Sequence, residues 1–211
     1  MAELRDILKS LDSALIIGGS ESNATEIETD GTMEAKGDAT CWDDLVGSLV
    51  ARRLESTSGK LQYNYDNSSI TMESGGNISN TSDRLIFNNQ IPHAWKADSS
   101  GNLHIHWEQV DATDREFTVQ YRVQGNGDAK TTTWTTAVVT ANATTNTYTY
   151  VSGTMNQITR LVDVDLTGMG ISDTMQFRLA RTDSVDDDIE ATFVDIHIER
   201  NTMGSRQEFT K

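Results

Sequence analysis

The histidines are the residues of this chain with the clearest capacity for chemistry, and there are four of them. His104 and His106 stand two residues apart, so a β-strand would place both imidazoles on one face. Together with a carboxylate near the C-terminus they would make a ligand set for Zn²⁺ or a similar ion, which takes three or four converging ligands. The candidate metal ligands are His93, His104, His106, Asp195 and His197.

Two features weigh against a metal site. The ligands converge only if two strands far apart in the sequence pair, and no cysteine or glutamate at fixed spacing completes the set. We therefore interpret the histidines as structural groups that hydrogen-bond to the backbone, to Glu108 or to Asp195, and we expect no metal and no other cofactor. A metal-dependent enzyme on a β-barrel, with the four histidines around an ion, is the less favoured alternative.

Carboxylates offer a second chemistry. Asp163 and Asp165 share one face of a predicted strand, which would suit calcium binding or acid–base catalysis. The run Asp186–Asp188 lies in a turn and lacks the loop pattern of an EF-hand. We interpret these groups as solvated carboxylates, because the net charge of the chain is −15. No phosphate-binding loop, nucleophile elbow or zinc-protease helix is present, so we predict no catalytic residue and expect a protein that is not an enzyme.

Three aromatic residues lie in threonine-rich strands, where they could stack on sugar rings as in carbohydrate-binding modules. They are Trp134, Tyr148 and Tyr150. Packing in the core or between subunits is the alternative role for such side chains.

Charge and composition exclude several classes of partner. A net charge of −15 argues against direct binding to a nucleic acid backbone, which relies on lysine and arginine. Charged side chains at positions 3, 5, 6, 9 and 12 interrupt the region where a cleaved signal peptide would need an apolar run, and no later window is apolar enough to span a membrane. The single Cys41 cannot pair within the chain and is expected to be a structural thiol.

The elements that would position these residues are strands. In Asn102–Val110 the apolar residues Leu103, Ile105 and Trp107 alternate with polar residues, and Glu116–Gln124 repeats the pattern, as in half-buried antiparallel strands. Eight such segments separated by turn residues predict an all-β, antiparallel, jelly-roll-like β-sandwich. The predicted strands are Arg84–Asn89, Asn102–Val110, Glu116–Gln124, Thr131–Ala141, Thr147–Ser152, Ile158–Leu166, Thr174–Thr182 and Ala191–Arg200.

The first part of the chain is organised differently. Apolar residues at three- and four-residue spacing over Glu3–Leu15 predict a short amphipathic helix that ends at Gly18 and Gly19. A helix of this length needs a surface to dock on, either its own domain, a second copy or another protein. Its predicted docking or oligomer interface is Leu4, Ile7, Leu8, Leu11 and Leu15.

Between this arm and the sandwich, Asp30-Gly31 predicts a hairpin turn, and Asp66-Asn67 predicts a second turn between Lys60–Tyr65 and Ser69–Glu73. Trp42, Leu45, Leu49 and Val50 suggest a short apolar element, which could be a helical turn opened by Asp43-Asp44. We therefore divide the chain into a helix and tether at 1–22, a hairpin and polar extended region at 23–83, the sandwich at 84–200 and a tail at 201–211.

Two motifs carry a family resemblance. The segment Ile91-Pro92-His93-Ala94-Trp95-Lys96, followed by His104-Ile105-His106-Trp107, resembles a motif of uncharacterised structural proteins of tailed bacteriophages. Glu28–Met33 and Gly37–Leu45, an acidic Asp-Gly turn before an Ala-Thr-x-Trp-Asp-Asp-Leu box, resemble the N-terminal part of the same proteins. This chain departs from the pattern at Ser99–Leu103, where another Pro-His step is common.

The resemblance implies a non-enzymatic virion protein, made in the cytoplasm of the host bacterium and incorporated into the particle. Such a protein would decorate the head or attach at the collar or tail, dock on capsid, portal or tail proteins through its N-terminal arm, and assemble as a symmetric homo-oligomer such as a trimer. The alternative is a glycan- or receptor-binding β module of a tail fibre, with a host-surface glycan as partner.

Overall fold

The structure, a computed structural model, describes residues 15–20, 23–27, 32–47, 50–51, 59–66, 68–111, 113–141 and 155–203, and strands make up more than half of them. A 3₁₀ turn at Gly37–Ala39 accompanies them. The strands are β1 (Leu15–Ser20), β2 (Asn23–Ile27), β3 (Met33–Ala35), β4 (Cys41–Gly47), β5 (Val50–Ala51), β6 (Leu61–Asn64), β7 (Ser69–Met72), β8 (Leu85–Gln90), β9 (Gly101–Gln109), β10 (Arg115–Gln124), β11 (Thr135–Ala141), β12 (Met155–Val164), β13 (Thr174–Arg181) and β14 (Ile189–Arg200).

Two antiparallel sheets face each other across one core. The five-stranded sheet has the order β11-β10-β13-β8-β5, and the six-stranded sheet has the order β12-β9-β14-β7-β6, with β4 also paired to β14. Because β14 is 12 residues long, its first part pairs with β7 and its later part with β4. Successive strands from β7 to β10 and from β11 to β14 pass between the sheets, as in jelly rolls. The predicted all-β, antiparallel sandwich is confirmed.

The alternation of side chains assigns each strand its faces. Leu103, Ile105 and Trp107 of β9 are fully buried, whereas His104 and His106 between them are half-buried on the other side. The alternation of apolar and polar residues fixes how β9 and β10 each align with their neighbouring strands, because a shift by one residue would turn every apolar side chain toward solvent. Phe87 and Phe177 stack in the core with ring centroids 4.8 Å apart.

Two hairpins agree with the turn residues of the sequence. β2 pairs with β3 from Ile27 opposite Met33, and β6 pairs with β7 from Asn64 opposite Ser69. The strands β4 to β7 join the same two sheets as the strands after residue 84. The boundary proposed at residue 84 therefore does not separate two sheets.

Three expectations differ from the structure. Trp42 and Leu45 lie in strand β4 and not in a helical turn, because Leu45 packs on the core while Trp42 faces solvent with the period of a strand. Leu15 begins β1, which pairs with β2, so the predicted helix does not extend through it; the β-branched Ile16 and Ile17 suit this strand. The Cys41 thiol is exposed, so it is not part of the core.

Some predicted segments lie outside the described residues, and some predicted strands have different first or last residues in the structure. Leu4, Ile7, Leu8 and Leu11 lie outside the described residues, as does the predicted strand Thr147–Ser152. β11 begins at Thr135, four residues later than expected, and β12 runs from Met155 to Val164. In the described part of the chain, no helix is long and apolar enough to cross a membrane.

A buried ion pair ties the two sheets together near the end of β13. The side chain of Arg181 is 0% exposed and that of Asp183 is 10% exposed, with a guanidinium nitrogen 2.8 Å from the carboxylate. Arg181 also donates to the carbonyl oxygen of Met72 at 2.9 Å and to that of Val185 at 2.7 Å. The Arg181 guanidinium therefore links β13 of one sheet to β7 of the other through Met72, with Asp183 as its counter-ion.

Candidate functional site

The outer face of the six-stranded sheet carries the polar residues that alternate away from the core. We call this surface the outer face. On β4 it includes Trp42, Asp44 and Val46, on β9 Asn102, His104, His106 and Glu108, on β12 Ile158 and Arg160, and on β14 Phe193, Asp195, His197 and Glu199. The outer face combines imidazoles, carboxylates and one exposed indole, and it holds two separate constellations.

The first constellation forms where β9 pairs with β14. The register places His104 opposite Asp195 and His106 opposite Phe193. Oδ1 of Asp195 lies 3.3 Å from Nε2 of His106 and 4.0 Å from Nδ1 of His104, and its Oδ2 lies 2.9 Å from Nε2 of His197. The pairing of the two strands that the sequence left open is thus present, and it brings three of the four histidines around one carboxylate.

His197 extends this cluster toward solvent. Its Nε2 lies 3.1 Å from Oδ1 of Asp44 on β4, and its ring centroid lies 4.0 Å from that of His104. The side chain of Asp195 is 4% exposed, whereas those of His197 and Asp44 are 34% and 59% exposed. Solvent can therefore reach the cluster at Asp44 but not at Asp195.

Burial and mutual charge shift the pKa values in the cluster. Burial lowers the pKa of His104 below its ordinary value, and the neighbouring His197 lowers it further, while the charge of Asp195 acts in the opposite sense. Burial raises the pKa of Asp195, but the interactions with His106, His197 and His104 outweigh it and leave this pKa below its ordinary value. These two shifts favour an ionised Asp195 carboxylate beside a neutral His104 imidazole.

Not every polar atom of the cluster is satisfied. Among the described residues, Oδ1 of Asp195, Nδ1 of His104 and Nε2 of His106 are buried without a hydrogen-bond partner of good geometry. His93 is not part of the cluster, because it lies in the turn before β9, where its carbonyl oxygen accepts a hydrogen bond from Thr202. The prediction that Asp195 partners the histidines agrees with these distances, whereas Glu108 pairs in register with Glu190.

The second constellation is an open groove beside the first residues of β4, which we call the Trp42 groove. It has a volume of about 490 Å³ and is lined by Trp42, Lys96, Ala97, Asp98, Ser99, Ser100, Asn102, Arg160, Asp163 and Glu199. The indole of Trp42 is 57% exposed. Both cationic groups are already held, since Arg160 donates to Asn102 at 2.7 Å and to Asp163 at 2.8 Å, and Lys96 lies 2.5 Å from Glu199.

The Pro-His-Ala-Trp motif builds one rim of the Trp42 groove. Trp95 is 1% exposed, and its indole N–H donates to the carbonyl oxygen of Ser99 at 3.3 Å. The backbone N–H of Lys96 donates to Glu199 at 2.8 Å, which ties the rim to β14. Asp98 at the tip has a φ of 61° and accepts a hydrogen bond from the N–H of Gly168. The motif therefore supports the loop, and its tryptophan is a core residue.

The aromatic residues singled out from the sequence lie elsewhere. Trp134 is half-buried, with the guanidinium carbon of Arg178 3.8 Å and that of Arg122 4.4 Å from its ring centroid. Both arginines thus lie over the ring in cation–π contacts. Tyr148 and Tyr150 lie outside the described residues. The sequence analysis did not single out Trp42 as an exposed aromatic residue, because its segment suggested a helical turn. The alternation of Trp42, Asp44 and Val46 with Leu45 was the available signal.

The fold and the outer face define an antiparallel β-sandwich with a polar surface groove and a histidine–carboxylate cluster. No known protein family and no curated protein sequence matches the chain. A carbohydrate-binding module specific for non-crystalline cellulose, CBM28, is similar with a TM-score of 0.33 and 12% identity, over 81% of this chain and 87% of that one. TmCBM61, solved with β-1,4-galactotriose, is similar with a TM-score of 0.26 and 8% identity, over 76% of this chain and 88% of that one. Similarities this distant carry no argument about function.

Proposed function

We propose that this protein is a non-catalytic β module that binds a neutral glycan in the Trp42 groove. The observation that carries the proposal is the indole of Trp42, 57% exposed at the wall of an open polar groove of about 490 Å³. A sugar ring has an apolar C–H face and a rim of hydroxyl groups. Its binding site therefore needs an aromatic surface with hydrogen-bonding groups beside it, and binding pockets commonly have volumes of about 300–1,000 Å³.

The polar lining supplies both kinds of hydrogen-bonding partner. Arg160 and Lys96 are donors, Asp98 and Asp163 are acceptors, and the amide of Asn102 is both. The hydrogen bonds among these residues hold several of them in place before a ligand arrives. Binding then requires less ordering of side chains, which is otherwise a cost of about 0.5–1.5 kcal/mol for each one.

The charge of the groove favours a neutral glycan over an acidic one. Two cationic and three carboxylate side chains line it. Arg160 is paired with Asp163 and Lys96 with Glu199, so neither cation is left to neutralise a sulfate or a uronic acid. A net charge of −15 for the whole chain repels acidic polysaccharides as well.

A glycan panel tests this function. Purified full-length protein would be screened against neutral, uronic-acid and sulfated oligosaccharides, and hits would be measured by calorimetry. We expect binding to neutral members only, and Trp42→Ala should weaken it by at least about tenfold, which is about 1.4 kcal/mol. Tyr65→Ala is the matched control, because Tyr65 is 81% exposed and does not line the groove. Equal losses in the two variants, or no glycan binding at all, would refute the proposal.

The non-catalytic part of the proposal needs its own measurement. A bound glycan incubated with the protein should be recovered unchanged by mass spectrometry, with and without added divalent ions. Cleaved or modified glycan would instead support the metal-dependent enzyme that the histidines suggested.

We also propose that the module works on a bacteriophage particle, as the two sequence motifs suggest. The observation in favour is that the motif tryptophan Trp95 supports the rim of the Trp42 groove, which would relate the family resemblance to the binding site. Localisation on purified particles by immunogold labelling tests this setting, and light scattering tests the expected trimer. Absence of the protein from particles would remove the virion setting and leave the glycan site to be judged by the panel alone.

A further inference from the structure

We propose that the outer face binds one divalent transition-metal ion of the Zn²⁺ type through His104, Asp195 and His197. One ligand atom from each of these residues lies within 4.8 Å of the others. Two imidazole nitrogens and a carboxylate oxygen are a donor set that zinc accepts, whereas calcium and magnesium prefer oxygen alone. This site is separate from the Trp42 groove and does not depend on glycan binding.

The spacing of the donor atoms fits a tetrahedral ion. Bonds of about 2.0–2.1 Å place neighbouring ligand atoms of a tetrahedron about 3.3 Å apart. The observed separations are 2.9 Å from Oδ2 of Asp195 to Nε2 of His197 and 4.0 Å from Oδ1 of Asp195 to Nδ1 of His104. An ion would therefore need a rotation of the Asp195 carboxylate or of the imidazoles to bring one oxygen and both nitrogens to bonding distance, while the strands that carry the ligands are paired in one sheet.

The unsatisfied polar atoms point to a ligand rather than to a self-sufficient network. Asp195 is 3% exposed, and among the described residues its Oδ1 has no hydrogen-bond partner of good geometry, although Nε2 of His106 lies 3.3 Å away; Nδ1 of His104 likewise has none. Buried polar atoms without partners cost about 1–3 kcal/mol each, so they are rare unless something fills the gap. A cation between Oδ1 of Asp195 and Nδ1 of His104 would satisfy both atoms at once.

Neighbouring residues complete the coordination sphere. Asp44 lies 3.1 Å from Nε2 of His197 on the open side, where it can supply the fourth ligand. His106 contacts Oδ1 of Asp195 at 3.3 Å and would orient that carboxylate toward the ion. The ion would join three strands, because Asp44 lies on β4, His104 on β9, and Asp195 and His197 on β14.

Calorimetric titration of untagged, full-length, chelator-treated protein tests the site. We expect one Zn²⁺ per chain and no heat from Ca²⁺ or Mg²⁺ at the same concentrations. Co²⁺ in place of Zn²⁺ should give the strong visible absorption of a tetrahedral site. Absence of Zn²⁺ binding, or the weak spectrum of octahedral Co²⁺, would overturn the proposal.

Variants of the histidines identify the ligands. His104→Gln and His197→Gln should each weaken Zn²⁺ binding by more than about 100-fold, and His106→Gln by about 10–100-fold, the range for residues that orient a ligand. His93→Gln is the matched control and should bind Zn²⁺ as the unaltered protein does, because His93 lies outside the cluster. Circular dichroism of the metal-free variants checks that they fold. Equal weakening by His93→Gln and His104→Gln would show adventitious surface binding and refute the site.

Discussion

Removal of the Asp183 carboxylate tests whether the buried Arg181 pair holds the two sheets together. Asp183 accepts three hydrogen bonds of 2.8–3.2 Å from the guanidinium, one of 2.9 Å from the N–H of Glu116 and one of 3.1 Å from the N–H of Val185. In Asp183→Ala the guanidinium would keep only the carbonyl oxygens of Met72 and Val185. A cation with a side chain that is 0% exposed would then be left without a counter-ion.

The expected cost is large relative to the stability of a domain. Removal of one partner from a buried ion pair typically costs about 3–5 kcal/mol, against a total of about 5–15 kcal/mol for a folded domain. Urea unfolding at pH 7, followed by fluorescence, would measure the difference. Asp186→Ala is the matched control, because Asp186 is exposed nearby and its loss should change the stability by less than about 0.5 kcal/mol.

Acid should remove the contribution of the same pair. Burial raises the pKa of Asp183, but the hydrogen bonds from Arg181 and from the backbone outweigh burial, so the pKa in the folded state lies below its ordinary value. Stability from such a group is fully present above the unfolded pKa of about 3.9 and is lost as the pH falls through the folded pKa. The stability gap between the unaltered protein and Asp183→Asn should therefore narrow below about pH 4.

Two results would refute this reasoning. If Asp183→Ala cost no more than Asp186→Ala, the pair would contribute nothing net to the link between the sheets. If the gap to Asp183→Asn stayed constant from pH 7 to pH 3, the carboxylate would not have the depressed pKa that its hydrogen bonds imply.

Two further substitutions and one labelling experiment probe the core and the surface. Trp107→Phe should lower the free energy of unfolding by about 1–3 kcal/mol, because it removes the buried N–H that donates to Oγ1 of Thr159 at 2.9 Å. In a double-mutant cycle with Thr159→Val, measured by urea unfolding, the two losses of stability should not be additive. Additive losses would contradict the hydrogen bond. Gly101→Ala should lower the free energy of unfolding by about 1–3 kcal/mol, because the added Cβ would lie 2.9 Å from Cγ2 of Ile196. Thermal or urea unfolding measures this loss. Unchanged stability would mean that the core around Ile196 adjusts to the extra carbon without cost. Cys41 should react with a thiol reagent in the native state, because it is exposed; a requirement for denaturant would contradict that exposure.

The sequence was sufficient where a strand needed only its own pattern. The alternation over Asn102–Val110 predicted which residues of β9 face the core, and the burial of Leu103, Ile105 and Trp107 confirms it. The turn residues likewise predicted the β6–β7 hairpin. Period-two alternation and turn chemistry are local properties, so a single chain segment carries them without knowledge of its neighbours.

Local pattern was insufficient for β4. Trp42 and Leu45 are compatible with a helical turn as well as with a strand when they are considered alone. The pairing of Trp42 with Glu199 and of Leu45 with Ile196 decides for the strand. These partners lie on β14, so only the folded chain could show that Trp42 stands at the wall of a groove.

The sequence also predicted only part of the histidine–carboxylate cluster. The two-residue spacing of His104 and His106, by itself, determined that both would share a face away from the core. It could not determine that Asp195 lies opposite His104, or that His93 lies apart. The register of β9 against β14 decides the first point, and it is set by the burial of apolar side chains such as Ile105 and Val194 across strands distant in sequence. The second point follows from the position of His93 in a turn outside both strands. The sequence alone therefore identified the histidines as candidate ligands, whereas tertiary packing decided which of them lie close to Asp195.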